Sequence, residues 1–305
     1  MSDRTIGVDV GGTKISVAVL DGSTLRTPVL RETDTRDGER LVEQLVAAIE
    51  EAGDARAVGV AVPSVVDFAS GRVRSSVNVP LADIALRDVL TERLRIPVVV
   101  DNDATCAALA EAHEDDGSLH ARNLVMFTIG TGVGGGVVID GRVLRGATGA
   151  AAELGHTIIG ADLRGAPFAH ADDFPQPGSL ESLASGRALN ELADVHGLRE
   201  GTTVDRAREG HAGACAALDL LGRRLGIGIA NAINTFDPDL VVVGGGVSAA
   251  GELLLAPARE QAARYVLTGV GTSTQIRRAR YGAQAGVRGA ALLARQQSAH
   301  EADPR

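Results

Sequence analysis

The chain has 305 residues, a formal net charge of −9 at pH 7 and a hydrophobic fraction of 45%. That length favours two domains of ordinary size, and the balance of apolar and charged residues is typical of a soluble globular protein. The acidic charge argues against binding to nucleic acid or to anionic membranes, and the scarcity of aromatic residues (five Phe, two Tyr, no Trp) argues against a stacking platform for single strands.

The two cysteines, Cys106 and Cys215, are too few for a disulfide framework or a four-cysteine zinc site. We expect them to be small buried residues in a reduced compartment. The amino-terminal residues lack the apolar segment of a signal peptide, and no apolar run reaches about 18 residues. We therefore expect a cytoplasmic protein.

The first half of the chain is predicted to alternate strands and helices. It opens with a hairpin, because Thr5–Val10 and Ile15–Leu20 are apolar and β-branched and two glycines separate them. Apolar residues at helical spacing predict helices, and short apolar runs predict buried strands. In chain order these are Gly38–Ala52 (helix), Val58–Val62 (strand), Leu86–Leu94 (helix), Val98–Val100 (strand) and Ala104–His113 (helix).

The second half repeats this order after the polar segment Glu114–His120, which is predicted to cross between domains. A long loop is predicted at Gly160–Gly178, since Pro, Gly, Asp and His occur there without periodicity. The predicted elements are a hairpin of Leu124–Ile129 and Gly136–Ile139, helices at Leu180–Val195 and Ala212–Thr235, a strand at Val241–Val243, and helices at Gly251–Tyr265 and Ala283–Gln297.

The two hairpins are versions of one another. Asp9–Gly22 (DVGGTKISVAVLDG) and Thr128–Gly141 (TIGTGVGGGVVIDG) both run from an apolar strand through a glycine-rich turn and end on Asp-Gly, about 120 residues apart. Glycine-rich turns let backbone N–H groups approach an anion. Two related halves that each offer a phosphate-binding hairpin are typical of a nucleotide cleft.

Two other interpretations of the second hairpin are weaker. Gly130–Gly135 matches G-x-G-x-x-G, but the dinucleotide fingerprint opens a helix, and here a strand and a turn follow. A hairpin without a ligand is the other alternative, since glycines also serve bulges and turns. In the first hairpin, Asp9 is a candidate for holding Mg²⁺ through water, and Thr13 and Lys14 are candidates for contacting phosphate.

Six segments together resemble the ROK family of repressors, open reading frames and kinases, which are sugar kinases of the actin-like ATPase superfamily. The segments are IGVDVGGTK, VDNDATCAALAEA, FTIGTGVGGGVVIDG, GAAAELGHT, LESLASG and LVVVGGGVS. The resemblance implies an α/β fold of two actin-like (ribonuclease H-like) lobes that close on a sugar and ATP-Mg²⁺. We assign residues 1–118 and 283–305 to the N-terminal lobe and residues 119–282 to the C-terminal lobe.

The resemblance also implies the site residues. Asp103 matches the general base, although an Asn-Asp pair ahead of a helix is by itself more typical of an N-cap. Contacts to phosphate or nucleotide are implied for Asp9, Gly11, Gly12, Thr13, Lys14, Gly130, Thr131, Gly132, Gly134, Gly244, Gly245 and Gly246. Contacts to the sugar are implied for Asn78, Asn102, Asp103, Glu153, His156 and Glu181.

The chain departs from the family at two places. Family members carry a zinc-binding C-x-C-G-x-x-G-C motif before the sugar-binding glutamate, and here Asp172, Phe174, Gly178 and Ser179 occur instead of cysteines. We predict no structural zinc, with the loop held by packing through Phe168 and Phe174; a site of His156, His170, Asp172 and Asp173 is a weak alternative. Ser64 also occurs where the family commonly has glycine, at the floor of the sugar site.

The predicted function is therefore ATP- and Mg²⁺-dependent transfer of phosphate to a hexose, with glucose and its 6-hydroxyl as the first choice. A homodimer is implied by the family, and no nucleic-acid or membrane partner is expected. The alternatives are N-acetylmannosamine, fructose or allose as acceptor, polyphosphate as donor, or a catalytically idle sugar-sensing regulator.

Overall fold

The computed structural model describes residues 4–76, 78–160 and 173–302, which form a mixed α/β fold. The strands in this part of the chain are β1 (Arg4–Val10), β2 (Lys14–Asp21), β3 (Thr24–Leu25), β4 (Val29–Glu32), β5 (Ala57–Val62), β6 (Ser64–Asp67), β7 (Arg72–Ser76), β8 (Val98–Asn102), β9 (Leu124–Ile129), β10 (Val133–Ile139), β11 (Arg142–Val143), β12 (Leu240–Gly244) and β13 (Gln275–Arg278). The α-helices there are α1 (Gly38–Ala52), α2 (Leu86–Leu94), α3 (Asp103–Glu111), α4 (Leu180–Ala184), α5 (Gly186–Asp194), α6 (Thr203–Arg208), α7 (Ala212–Phe236), α8 (Glu252–Tyr265) and α9 (Ala285–Ala302).

The first sheet brings two candidate segments to the carboxyl ends of its parallel strands. Its order is β3-β2-β1-β5-β8, and β4 also pairs with β2. Strands β1, β5 and β8 are parallel, with Asp9 beside Ala61 and Val62 beside Asn102. Ligands commonly bind at the carboxyl ends of parallel strands in α/β sheets. The glycine turn after β1 and the start of α3 after β8 both lie at that end.

The second sheet repeats this plan. Its order is β11-β10-β9-β12-β13, with β12 parallel to both β9 and β13. Its glycine turn joins β9 to β10, as the first turn joins β1 to β2. The mixed α/β class that the resemblance implies is confirmed.

Residue contacts group the chain into two compact units. One contains residues 1–122, 136–151 and 280–305, and the other contains residues 123–135 and 152–279. The division predicted from the sequence instead places residues 136–151 in the C-terminal lobe. The lobe boundaries stay a prediction.

One predicted helix is wrong. The segment Leu180–Val195 forms two helices, α4 and α5, that are separated at Ser185. Ser185 is extended, with φ −82° and ψ 174°, and its hydroxyl accepts the Ala188 N–H at 3.3 Å. A Ser N-cap begins the second helix, so the chain turns there although the apolar spacing continues.

Helix α9 lies unusually close to its neighbours because glycines face it. Gly7 and Gly59 are register partners on β1 and β5, and a Cβ on either would overlap a backbone carbonyl of α9. Gly289 of α9 is equally close to α3, where a Cβ would overlap the Cys106 carbonyl oxygen. This packing fixes α3, which begins at the candidate base.

We expect Gly289→Ala to lower the free energy of unfolding by about 1–3 kcal/mol, despite the higher helix propensity of Ala, because the added methyl group forces α9 and α3 apart. Gly160→Ala is the control, since among the described residues its Cβ would meet Leu183 Cδ1 alone, at an ordinary contact distance of 3.7 Å. Urea titrations of both variants check the prediction. Equal stability of the two would contradict it.

Candidate active site

Thr33 stabilises the first glycine turn through two hydrogen bonds. The Gly11 N–H donates to the Lys14 carbonyl at 2.8 Å, which closes the turn. The Thr33 hydroxyl donates to the Gly11 carbonyl at 2.7 Å, and the Thr33 N–H donates to the Thr13 carbonyl at 3.1 Å. Thr13 and Lys14 are themselves exposed, so their side chains are accessible to a ligand.

Asp9 is the penultimate residue of β1 and lies in an environment that disfavours its charge. The residue is half-buried, and a Cβ on Gly286 would overlap its carboxylate. Burial, and then the nearby charge of Asp103, raise the pKa of Asp9 to about 7. A bound cation would offset both effects, so Asp9 has the chemistry expected of a Mg²⁺ ligand.

Asn102 and Asp103 open α3 and are both half-buried. The Asn102 Oδ1 caps the helix by accepting the Thr105 N–H at 3.1 Å, and the Asp103 Oδ1 accepts the Ala104 N–H at 2.8 Å. Asn102, rather than Asp103, is therefore the N-cap residue. This removes capping as the main explanation for a carboxylate at position 103.

Ser64 is a structural link in this unit. It is 6% exposed, and its hydroxyl donates to the Ser76 hydroxyl at 2.8 Å, which in turn donates to the Val79 carbonyl at 2.7 Å. The Asn102 Nδ2 donates to the Ser64 carbonyl at 3.4 Å. The Ser64 hydroxyl thus fixes the segment around the exposed residue Asn78, whose carbonyl would lie 3.3 Å from a Cβ on Gly12.

Asp101 directly precedes Asn102 and forms a buried ion pair with Arg145. Its side chain is 2% exposed, and the Arg145 Nε lies 2.8 Å from its Oδ2. The Arg145 guanidinium covers the Phe68 ring at 3.5 Å from the centroid. Burial raises the pKa of Asp101, and Arg145 opposes that rise.

In the other unit, the second glycine turn adjoins the predicted adenosine segment. The Gly130 N–H donates to the Gly132 carbonyl at 2.9 Å, and Thr131 is exposed at the tip. Gly245 has φ +80°, and a Cβ on it would overlap the backbone of Ile129. Only glycine suits that conformation and that approach. Gly244 is buried, whereas Gly245 and Gly246 are exposed beside the turn.

The predicted sugar residues of this unit lie together. His156 Nε2 is 3.9 Å from Glu153 Oε2, and its ring lies 5.2 Å from the ring of Phe174. Partial burial, opposed by His156 and reinforced by Glu181, raises the pKa of Glu153. Glu181 in α4 is 6% exposed, and its Oε2 accepts the Val133 N–H at 2.8 Å.

The structure thus sorts the predicted site residues into two groups, one in each unit. Asp9, Gly11, Gly12, Thr13, Lys14, Asn78, Asn102 and Asp103 belong to the first, and Gly130, Thr131, Gly132, Gly134, Glu153, His156, Glu181, Gly244, Gly245 and Gly246 belong to the second. Sequence reasoning missed Thr33 and Arg187, each of which contacts a glycine turn. Arg187 directly follows the LESLASG segment, but a lone helical arginine carries no distinctive signal.

Comparison with known proteins identifies the family of the chain. The ROK family model matches residues 5–297. A glucokinase of Halalkalibacterium halodurans is 34% identical, with 97% of each chain covered, and an N-acetyl-D-glucosamine kinase of Photobacterium profundum is 35% identical over 94% of this chain and 98% of its own. The crystal structure of a ROK family glucokinase from Streptomyces griseus, in complex with glucose and AMPPNP, is 33% identical, has a TM-score of 0.79 and covers 96% of this chain and 99% of its own.

The chain therefore belongs to the ROK family. Its fold is that of the ROK glucokinase structures, as the resemblance implied. None of the helices in the described residues has the length and apolarity needed to cross a membrane.

The absence of a structural zinc stays a prediction. Among the described residues, no group of three or more His, Cys, Asp or Glu side chains is placed to hold a metal ion. Phe168, His170 and Asp172 lie outside those residues. We expect metal analysis of the purified protein to find no stoichiometric zinc, because thiolates dominate such structural sites. One zinc per chain would contradict this.

Proposed function

We propose that this protein is an ATP-dependent sugar kinase that transfers the γ-phosphoryl group of ATP to the 6-hydroxyl of glucose. The observation that carries the proposal is the pair Asp9 and Asp103 at the carboxyl edge of the first sheet, beside an exposed Gly-Gly-Thr-Lys turn. Relatives with 33–35% identity over nearly the whole chain are a glucokinase, a glucose-bound glucokinase structure and an amino-sugar kinase. Glucose is the acceptor named most often among them.

Asp103 serves as the general base. Phosphoryl transfer requires that the attacking hydroxyl be oriented and relieved of its proton, which a carboxylate within hydrogen-bond reach can do. Because the cap of α3 is supplied by Asn102, the role of Asp103 is not explained by helix capping. Asp103 is the first residue of α3, so the helix fixes its backbone position.

Asp9 holds Mg²⁺ through water. The half-buried carboxylate, with its pKa raised to about 7 next to Asp103, suits a hard divalent cation. When bound, Mg²⁺ neutralises charge on the phosphate oxygens of the donor. Thr13 donates a hydroxyl hydrogen bond to phosphate, and Lys14 provides a positive charge.

The remaining residues bind the two substrates. Backbone groups of Gly11, Gly12, Gly130, Thr131, Gly132 and Gly134 receive the donor phosphates, and Gly244, Gly245 and Gly246 receive the nucleoside. Several polar side chains hydrogen-bond the hydroxyls of the sugar, because an unpaired buried polar group is costly. These are Asn78, Asn102, Asp103, Glu153, His156 and Glu181.

The protein acts in the cytoplasm as a homodimer. Cys106 and Cys215 are both free thiols, which suits a reducing compartment. The dimer follows from the family resemblance. Light scattering on the purified protein is expected to give twice the mass of the 31.3 kDa chain.

A coupled assay of ADP release across a sugar panel tests the proposal. Glucose is expected to give the highest kcat/KM with MgATP, and fructose, allose, N-acetylglucosamine and N-acetylmannosamine lower values. The same panel with polyphosphate tests the donor. A higher kcat/KM for another sugar would reassign the acceptor, and inactivity with every sugar and both donors would favour a sugar-sensing regulator.

A further inference from the structure

The carboxylate of Glu181 lies against the second glycine turn, within the unit that contains both. Its Oε2 accepts the Val133 N–H at 2.8 Å, and a Cβ at position 132 would overlap that same oxygen. Gly132 does not have a positive φ, so its backbone conformation does not explain the glycine. Glycine at 132 is explained by the close approach of Glu181.

Arg187 connects this carboxylate to the tip of the turn. Its Nη2 lies 3.7 Å from Glu181 Oε1, and its Nε donates to the Thr131 carbonyl at 3.3 Å. The Gly186 N–H donates to the Gly130 carbonyl at 2.8 Å. Residues 181–187 therefore contact the turn at three successive points.

We propose that Arg187 is a positioning residue that holds Glu181 on the second glycine turn, and that sugar and donor binding influence each other through this carboxylate. The inference rests on the proposed function, which assigns Glu181 to the sugar and the turn to the donor phosphates. A carboxylate has about four acceptor sites, so Glu181 accepts a sugar hydroxyl while it keeps the Val133 N–H.

The coupling arises because the sugar and the donor both restrict the motion of the same carboxylate and turn. A sugar hydroxyl that donates to Glu181 restricts the carboxylate, and the restricted carboxylate restricts the Val133 N–H in the turn. A donor that binds afterwards has less conformational entropy to remove, which gives positive coupling. By linkage, the donor must strengthen sugar binding by the same factor.

The geometry of Arg187 requires a guanidinium. Its planar fork donates to the Thr131 carbonyl through Nε and places Nη2 3.7 Å from the Glu181 carboxylate, whereas a lysine ammonium acts as a point charge on a flexible stem. The side chain is 55% exposed, so a substitution there leaves the core intact. Arg187→Lys therefore removes the bridge and keeps the charge.

The test measures the Kd of AMPPNP-Mg²⁺ with and without saturating glucose, and the Kd of glucose with and without AMPPNP-Mg²⁺, by calorimetry on the full chain. In the unaltered protein, each ligand is expected to tighten the other by the same factor, on the order of 5- to 150-fold. In Arg187→Lys the factor is expected to fall towards one, while the Kd of each ligand alone changes little.

Arg223→Lys is the matched control, because Arg223 is 58% exposed and pairs with Asp219 at 2.9 Å away from the turn. It is expected to keep the full factor. A full factor in Arg187→Lys overturns the role of Arg187. Tight binding of both ligands to the unaltered protein with a factor of one overturns the coupling and leaves the kinase proposal standing. Binding of neither ligand removes both proposals.

Discussion

Asp103→Asn is expected to lower kcat by about 10²- to 10⁴-fold while the Kd of AMPPNP changes little, because the variant loses the base but no proposed contact to the donor. The asparagine Oδ1 keeps the hydrogen bond from the Ala104 N–H, which is 2.8 Å long in the structure. Asn102, which caps α3, is unchanged, so the helix stays capped and folded. A steady-state assay with saturating glucose and MgATP measures kcat.

Asp37→Asn is the matched control for this substitution. Asp37 caps α1 by accepting the Arg40 N–H at 2.9 Å, so the same change is made at a helix start outside the proposed site. It is expected to keep nearly normal turnover. If Asp103→Asn also kept nearly normal turnover, Asp103 would not be the base.

Arg145→Met is expected to lower the free energy of unfolding at pH 7 by about 3–5 kcal/mol, because it leaves the Asp101 carboxylate buried without its cation. Asp101 is 2% exposed and lies 2.8 Å from the Arg145 Nε. Methionine keeps the apolar contact with Phe68, so the loss reports the charge rather than the packing.

The stability lost in Arg145→Met should become larger as the pH rises. Burial raises the folded-state pKa of Asp101 above its ordinary value of 3.8, and removal of Arg145 raises it further. Between pH 3.8 and the raised folded-state pKa, the folded variant binds more protons than the unfolded chain. Its free energy of unfolding therefore falls as the pH rises through this window. Urea titrations at pH 5 and pH 7 should show a smaller deficit at pH 5.

Arg264→Met is the control for the ion pair, since Arg264 and Glu260 form an exposed pair at 2.7 Å on α8. Surface pairs of this kind contribute about 0–1 kcal/mol. The account of Asp101 would be contradicted by a deficit for Arg145→Met that equals the control, or by one that is the same at both pH values.

Local patterns in the sequence predicted most of the fold. The hairpin at Thr5–Leu20 and the helix at Gly38–Ala52 follow from glycine turns and apolar spacing, and both are confirmed. Strands β6 and β7 were not predicted, because they are short and carry Ser, Arg and Asp among their valines; they pair as a separate two-stranded antiparallel sheet. Ser185 ends α4 by a cap and not by a loss of apolar spacing, so the break could not be predicted from periodicity.

In the candidate site, too, residues with local sequence signatures could be predicted, and contacts between distant parts of the chain could not. Glycines, Asp9 and the Asn102-Asp103 pair stand out in the sequence because turns and helix starts have local signatures. The contact between Glu181 and the Val133 N–H joins residues 48 positions apart, and no local pattern encodes it. Arg187 and Thr33 were missed for the same reason, since each contacts its turn only through the tertiary fold.

The most direct test of the proposed function is a ³¹P NMR time course of the purified protein with glucose and MgATP. We expect the ATP signals to fall as ADP and a phosphomonoester on the 6-hydroxyl of glucose rise in equal amounts, with no ATP consumed when glucose is omitted. Release of inorganic phosphate at the same rate with and without glucose, or no consumption of ATP in the presence of glucose, would contradict it.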